Sequence, residues 1–343
     1  MATMSGKRFQ WIDVAKGMGI MLVVYGHVMR GLVSAGLAPD SSTFQIVDSV
    51  IYSFHMPLFF FLAGIFLDQA LAKRGVGGVV LSKVDTILYP YLVWSLLQGF
   101  IEVLLARYTN GATEAGDVLA LLWAPRAQFW FLYALFQIFI VSAVLFSFKA
   151  RWLPYLVLGA AALSFIFARA EVMGPFIHAA RMMVFFVLGV VFFRLSKAEI
   201  GRAPMVTLVL FSTFAVIEYL FHSFAGLRYS DRSLFSLLIA CVGIAATVGV
   251  ASLVTGRLSS SLAYLGRMSM YIYLGHILVA SGMRVALSRA WPGCPVWLHV
   301  IAGLVAGIAL PVVLYRLCKR WQLMFLFEPP RRLAAQGGSR ASA

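Results

Sequence analysis

The sequence predicts an all-α, polytopic membrane protein of about ten transmembrane helices with both termini in the cytoplasm. Three observations carry this reading. Hydrophobic residues make up 62% of the 343 and charged residues only 12%. Apolar runs of about 20 residues, the length that spans a hydrocarbon core, follow one another from end to end. Lysine and arginine sort to one side of those runs, which is the signature of cytoplasmic loops.

The runs fall at 11–30, 47–67, 85–106, 128–148, 152–169, 178–195, 204–222, 233–254, 262–282 and 296–317. They leave no segment from which a soluble domain could be built. The expected organisation is a cytoplasmic tail at 1–10, one transmembrane domain at 11–317 and a basic cytoplasmic tail at 318–343, disordered at its end.

The first run follows Lys7 and Arg8, as a signal peptide would. It is long, carries Asp13, Lys16 and His27, and has no small-residue cleavage site after it, so it is expected to remain in the mature protein. The second run holds His55 and Pro57, and the proline is expected to kink the helix beside the histidine. The longest loops are expected at Gly31 to Ile46 and Arg107 to Ala127 outside, and at Asp68 to Val84 inside with Gly75, Gly77 and Gly78.

An even number of spans returns both ends to one side. The Lys and Arg residues of the tails, the inner loops and the inner ends of the runs number 19 of the total of 28, which makes that side cytoplasmic. The net charge of +15 follows from this sorting and from contact with anionic lipid, so it is no sign of nucleic acid. Cys241, Cys294 and Cys318 are scattered along the chain and indicate neither a disulfide framework nor a metal cluster.

Topology gives each polar residue a depth. Asp13 and His27 are separated by roughly 21 Å of helix, and Lys16 and His27 differ by only about 20° around its axis. The first helix therefore carries a polar stripe, with charges at its inner end, His27 about a turn below the outer boundary, and Arg30 just beyond. His55, Glu102, Glu218, His222 and His276 fall in the outer parts of their helices. Ionisable groups within a bilayer usually mark a pathway or a reaction site. The bland readings are that the histidines hydrogen-bond neighbouring helices, that the glutamates face interfacial water, and that Asp13 and Lys16 form a local ion pair.

Five segments in order resemble the acyltransferase family 3 proteins, bacterial membrane O-acyltransferases, and in particular the branch similar to fucose 4-O-acetylases. They are RFQWIDVAKGMGIMLVVYGH at 8–27, FHMPLFFFLAGIF at 54–66, KVDTILYPYLVW at 83–94, WFLYALF at 130–136 and LGRMSMYIYLGH at 265–276. The resemblance implies that His27 is the essential family histidine, with Arg8, Asp13 and Lys16 in the same motif. It also implies an acyl-CoA co-substrate, most often acetyl-CoA, with no permanently bound cofactor or metal, a carbohydrate hydroxyl as acceptor, and residence in the bacterial inner membrane. Two departures stand out. Many members have Arg where Lys16 stands, and many have an Arg-x-x-Arg pair where this chain has Lys73, Arg74 and then Lys83.

The chemistry agrees with the residues. Acyl transfer from a thioester to a hydroxyl needs a base for the hydroxyl proton, and imidazole suits that task; an alternative is that His27 accepts the acyl group first. The expected catalytic pair is His27 and Asp13. Arg8, Lys16, Arg74 and Lys83 are expected to hold the donor phosphates. His55, Glu102, Glu218 and His276 are expected to bind the acceptor. A proton-coupled transporter or flippase would use the same buried groups as relays, but its usual paired halves with broken helices are not legible here.

Overall fold

The computed structural model describes residues 9–105, 114–197 and 199–330. Among these there is no strand, and nine helical segments are long and apolar enough to cross a bilayer. A tenth apolar helix, Leu153–Phe167, is shorter at 15 residues. The chain is an all-α polytopic membrane protein.

In chain order the helices are α1 (Gln10–Ser34), α2 (Ser42–Gly64), α3 (Leu67–Lys83), α4 (Tyr89–Leu104), α5 (Ala115–Leu119), α6 (Trp130–Ser147) and α7 (Leu153–Phe167). They continue with α8 (Ala170–Met173), α9 (Ile177–Ser196), α10 (Pro204–Tyr219), α11 (Leu234–Leu253), α12 (Gly256–Ala290) and α13 (Val296–Arg320). A widened π turn, Val84–Leu88, joins α3 to α4. Its cause is local: Pro90 has no N–H to offer the preceding turn, so the backbone ladder shifts register there.

Two expectations are corrected. The segment from Asp68 to Val84 is helical, not a loop. Its charges lower its hydropathy below that of a spanning run, yet it folds as two helical pieces meeting at Gly75, whose φ of 65° is open to glycine. Asp68 then forms a bidentate pair with Arg194 at 2.6 and 2.9 Å. The connection after α1 is also shorter than Gly31 to Ile46, since α1 continues to Ser34 and α2 begins at Ser42 behind a serine cap. Of the other expected outer loop, residues 106–113 lie outside the described residues, and part of the remainder is α5.

Tight packing positions the core. Without water to drive them together, membrane helices associate where small residues let backbones approach. Gly17 faces the Leu262 carbonyl and Gly266 faces the Asp13 carbonyl so closely that a Cβ on either would collide, which locks α1 against α12. Gly64 and Gly189 make the same kind of approach to Phe186 and Phe61, locking α2 against α9. α1 thus lies between α12, α13 and α2 with its polar stripe inside the bundle.

Candidate active site

Two cavities lie end to end along α1. The near one, toward the N-terminal end of α1, is about 330 Å³ and is bordered on α1 by Lys16, Ile20 and Val23. The far one is about 240 Å³ and begins at His27, continuing past Arg30 to Ser34. Those positions recur at helical spacing, so one face of α1 lines both spaces in succession. α12 repeats the division: Ser269, Met270 and Tyr273 border the near cavity, and Ile277, Ser281 and Arg284 border the far one.

His27 and His276 meet between the stretches of α1 and α12 that border the two cavities. Their ring centroids are 5.1 Å apart at an interplanar angle of 54°. His27 is half-buried and opens to the far cavity, whereas His276 is fully enclosed. His276 Nδ1 stands 2.7 Å from the Tyr273 carbonyl and 3.1 Å from that of Ile272. A carbonyl only accepts, so Nδ1 carries the proton and Nε2 is left as the free acceptor nitrogen. Nε2 is buried and has no hydrogen-bond partner.

The remaining candidates are distributed as follows. Asp13 is buried at the start of α1, where its backbone touches Gly266, and is therefore roughly 21 Å of helix from His27. Lys16 and Lys83 both border the near cavity, and Lys83 Nζ sits 4.0 Å above the Phe139 ring. Arg74 is exposed and donates to Ser82 Oγ at 2.6 Å, across the Gly75 bend. Arg8 lies outside the described residues.

The four expected acceptor ligands do not converge. His55 is buried, with Nδ1 donating to the Ile51 carbonyl at 2.6 Å and its ring edge-on to Tyr52 at 4.5 Å. Glu218 accepts from Ser53 Oγ at 2.6 Å and lies 2.9 Å from His222 Nε2. Glu102 accepts from Gln98 and Arg126, each at 2.9 Å. Gln98 in turn pairs with Gln128 at 2.8 Å, and the Tyr273 hydroxyl donates to the Gln128 carbonyl. None of the four, His276 included, is among the residues lining either cavity. Only His276 packs against His27, and the other three hydrogen-bond to neighbouring groups away from it.

The far cavity presents Arg30, which the sequence placed just beyond His27, together with Arg284 and His299, which it did not single out. Arg30 makes a bidentate pair with Asp48 at 2.8 and 2.7 Å, donates to the Tyr229 hydroxyl at 3.1 Å and lies 3.5 Å over the Tyr52 ring. Arg284 donates to the Gly31 carbonyl at 2.8 Å, and His299 of α13 completes the wall. The signal for Arg284 was its position seven residues after Ile277 on the same helix face; a helix ending at 282 placed it in a loop instead.

Two cavities along one face of α1, with an imidazole pair between the stretches that border them, are an arrangement fit for a group-transfer enzyme with two substrates. The chain belongs to the acyltransferase family whose model is described as an acyltransferase domain, which it matches over residues 9–316. It is similar to the nodulation protein NolL of Mesorhizobium japonicum (strain LMG 29417 / CECT 9101 / MAFF 303099), 29% identical over 156 residues, which is 46% of this chain and 40% of that one. It is also similar to the nodulation protein NolL of Sinorhizobium fredii (strain NBRC 101917 / NGR234), 24% identical over 143 residues, 41% of this chain and 38% of that one. The matches thus span about 40% of the length of these curated relatives. No solved structure matches the chain.

Proposed function

We propose that the protein is a membrane O-acyltransferase that moves an acyl group, acetyl by preference, from acyl-CoA to a hydroxyl of a cell-surface or exported carbohydrate. The observation that carries this reading is His27 at the inner end of the far cavity, one turn along α1 from Val23, which borders the near one. A donor held in one and an acceptor held in the other would present thioester and hydroxyl to the same imidazole.

In this reading the near cavity faces the cytoplasm of a bacterial inner membrane, in keeping with the sorting of basic residues. Lys16 and Lys83 at that cavity, with Arg74 and Arg8 beside them in sequence, would hold the donor's phosphates. The nucleotide stays at the membrane boundary while the narrow thioester arm follows the α1 face over roughly 17 Å, from Lys16 to His27. The apolar walls of Ile20, Val23, Met56 and Phe131 suit such an arm and exclude water from it.

The reaction balances simply. His27 takes the acceptor's hydroxyl proton as its oxygen attacks the thioester carbonyl; the C–S bond breaks as the C–O bond forms, and the proton passes to the departing sulfur. The products are the O-acyl glycan and free CoA. Asp13, at the opposite end of α1, would act on the donor side and not by touching the imidazole.

The test is sidedness. Purified protein in sealed vesicles of known orientation receives acetyl-CoA on the face holding the N terminus and acceptor glycan on the other. Product in that arrangement is expected; product only when both substrates share the N-terminal face would overturn the reading.

A further inference from the structure

We infer that Arg181 and Arg232, at the end of the bundle that holds His27, form a binding site for the phosphate of a membrane lipid. The site goes beyond the acyl-transfer reading and does not depend on it. Arg181 stands in the first turns of α9, and Arg232 lies just before α11. Tyr229, in the same connection as Arg232, accepts from Arg30, about one turn past His27 on α1, which fixes the end of the bundle.

Both guanidinium groups converge on the last turn of α7. Arg181 donates through Nη2 to the Ala168 carbonyl at 3.0 Å, and Arg232 lies 5.1 Å from the centre of the Phe165 ring, less than a turn earlier. Nε of each is enclosed with no hydrogen-bond partner among the described residues, and neither guanidinium forms an ion pair there. Asp231 is the carboxylate next in sequence, but it accepts from the Arg228 backbone N–H at 2.7 Å. Burial and the Arg181 charge both pull Arg232 below the ordinary arginine range, against the opposing influence of Tyr229 and Asp231. A guanidinium keeps its proton in proteins, so two like charges are held near one another. A phosphate between them relieves that repulsion and takes forked hydrogen bonds from both.

A bland reading covers half of the pair. A cation at a helix C terminus is favoured by the helix dipole, and Arg181 caps α7 in this way. It leaves Arg232 unexplained, since that guanidinium meets an aromatic ring and donates no hydrogen bond among the described residues. Both side chains stay partly exposed, so an oxyanion can reach them. The setting selects lipid as its source. α7 leaves Leu156, Leu163 and Phe167 60%, 60% and 70% exposed, the kind of face an apolar helix gives to acyl chains. The end of such a helix marks the edge of the hydrocarbon layer, the depth at which headgroup phosphates lie. His178 is packed against Trp130 at 4.8 Å and shares a face of α9 with Arg181, where it offers an imidazole to the same anion.

The experiment titrates the full chain, purified in an uncharged detergent, with two matched pairs of lipids. One pair is farnesyl diphosphate and farnesol; the other is short-chain phosphatidylglycerol and the diacylglycerol that lacks its headgroup. At least one phosphate-bearing lipid is expected to bind about tenfold or more tightly than its phosphate-free counterpart, the scale of a charge-assisted hydrogen bond. A preference for the diphosphate names a polyprenyl-borne phosphate as the source, and a preference for phosphatidylglycerol names a phospholipid headgroup; either supports the inference. Replacing both arginines, Arg181→Gln with Arg232→Gln, is expected to bring the ratio close to one. Arg169→Gln removes a charge from an exposed position beside the end of α7 and is expected to leave the ratio as it was. If the double variant does not fold, Arg232→Gln alone is titrated and is expected to lower the ratio severalfold. The inference is overturned if neither phosphate lipid outbinds its counterpart, or if the arginine variant keeps the full ratio. It is also overturned if Arg169→Gln lowers the ratio as far as the arginine variant does, since the attraction would then be diffuse surface charge.

Discussion

His27 and His276 face each other with ring centroids 5.1 Å apart, on two helices whose backbones touch lower down at Gly17 and Gly266. The imidazole pair and the glycine contact are parts of one device. The close approach fixes the helix separation, and the helix separation fixes the distance between rings. His276 is further oriented by its own helix, since Nδ1–H donates to carbonyls three and four residues earlier.

Replacing His276 by Gln removes the buried acceptor nitrogen beside His27 while leaving a side chain of similar reach. Acetyl transfer is expected to fall by about a hundredfold, the scale of a lost acid–base partner, with protein abundance near normal. Initial rates under saturating acetyl-CoA, set against the melting temperature of the same preparation, check this. An unchanged rate would reduce His276 to packing.

The glycine contact makes a separate prediction. Gly266→Leu puts a branched side chain against the Asp13 carbonyl and the Gly17 backbone, where no flexible neighbour can yield. Overpacking of this kind costs about 1–3 kcal/mol. A lower melting temperature is expected, together with a transfer rate that falls more than the loss of folded protein explains, because the imidazoles are pushed apart.

The donor and acceptor sides should separate in kinetics. Neutralising Lys16 and Lys83 together, each to Gln, is expected to raise the KM for acetyl-CoA by about tenfold with kcat little changed, as for an interaction made equally in ground and transition states. Acceptor KM should stay where it was. A shift confined to the acceptor would place these lysines in the wrong chamber.

Asp48→Asn tests the far side. It leaves Arg30 in place but removes the balancing charge, at a cost of roughly 1 kcal/mol once the partial exposure of the pair is taken into account. Acceptor KM is expected to change while donor KM does not. Asp68→Asn breaks a pair of similar form with Arg194 at the other end of the bundle, and is expected to alter neither.

Much of this architecture was legible because membrane helices announce themselves by length and hydropathy. The expected run 204–222 meets α10 and its following π turn, ending at Phe224, and 233–254 meets α11, ending at Leu253. A charged, weakly apolar helix was not legible: α3 carries Asp68, Lys73, Arg74 and Lys83, so the same signal that finds spanning runs rejects it. The polar stripe on α1 was readable from spacing alone, since Lys16 and His27 fall on one face. Partnership between helices was not. Nothing in the chain order says that His276 meets His27 while Glu102 turns to Arg126 and Glu218 to Ser53. Depth in the membrane is a one-dimensional property of sequence, whereas direction around the bundle is decided by contacts such as Gly17 against Leu262.

The most direct measurement is acyl incorporation by His27→Gln, compared with the unsubstituted protein at equal abundance and equal melting temperature, and read by mass spectrometry of the cell's surface glycans. The account predicts that the acyl mass increment disappears in the variant and returns when histidine is restored. A His27→Gln protein that decorates its glycan at the normal rate would contradict it.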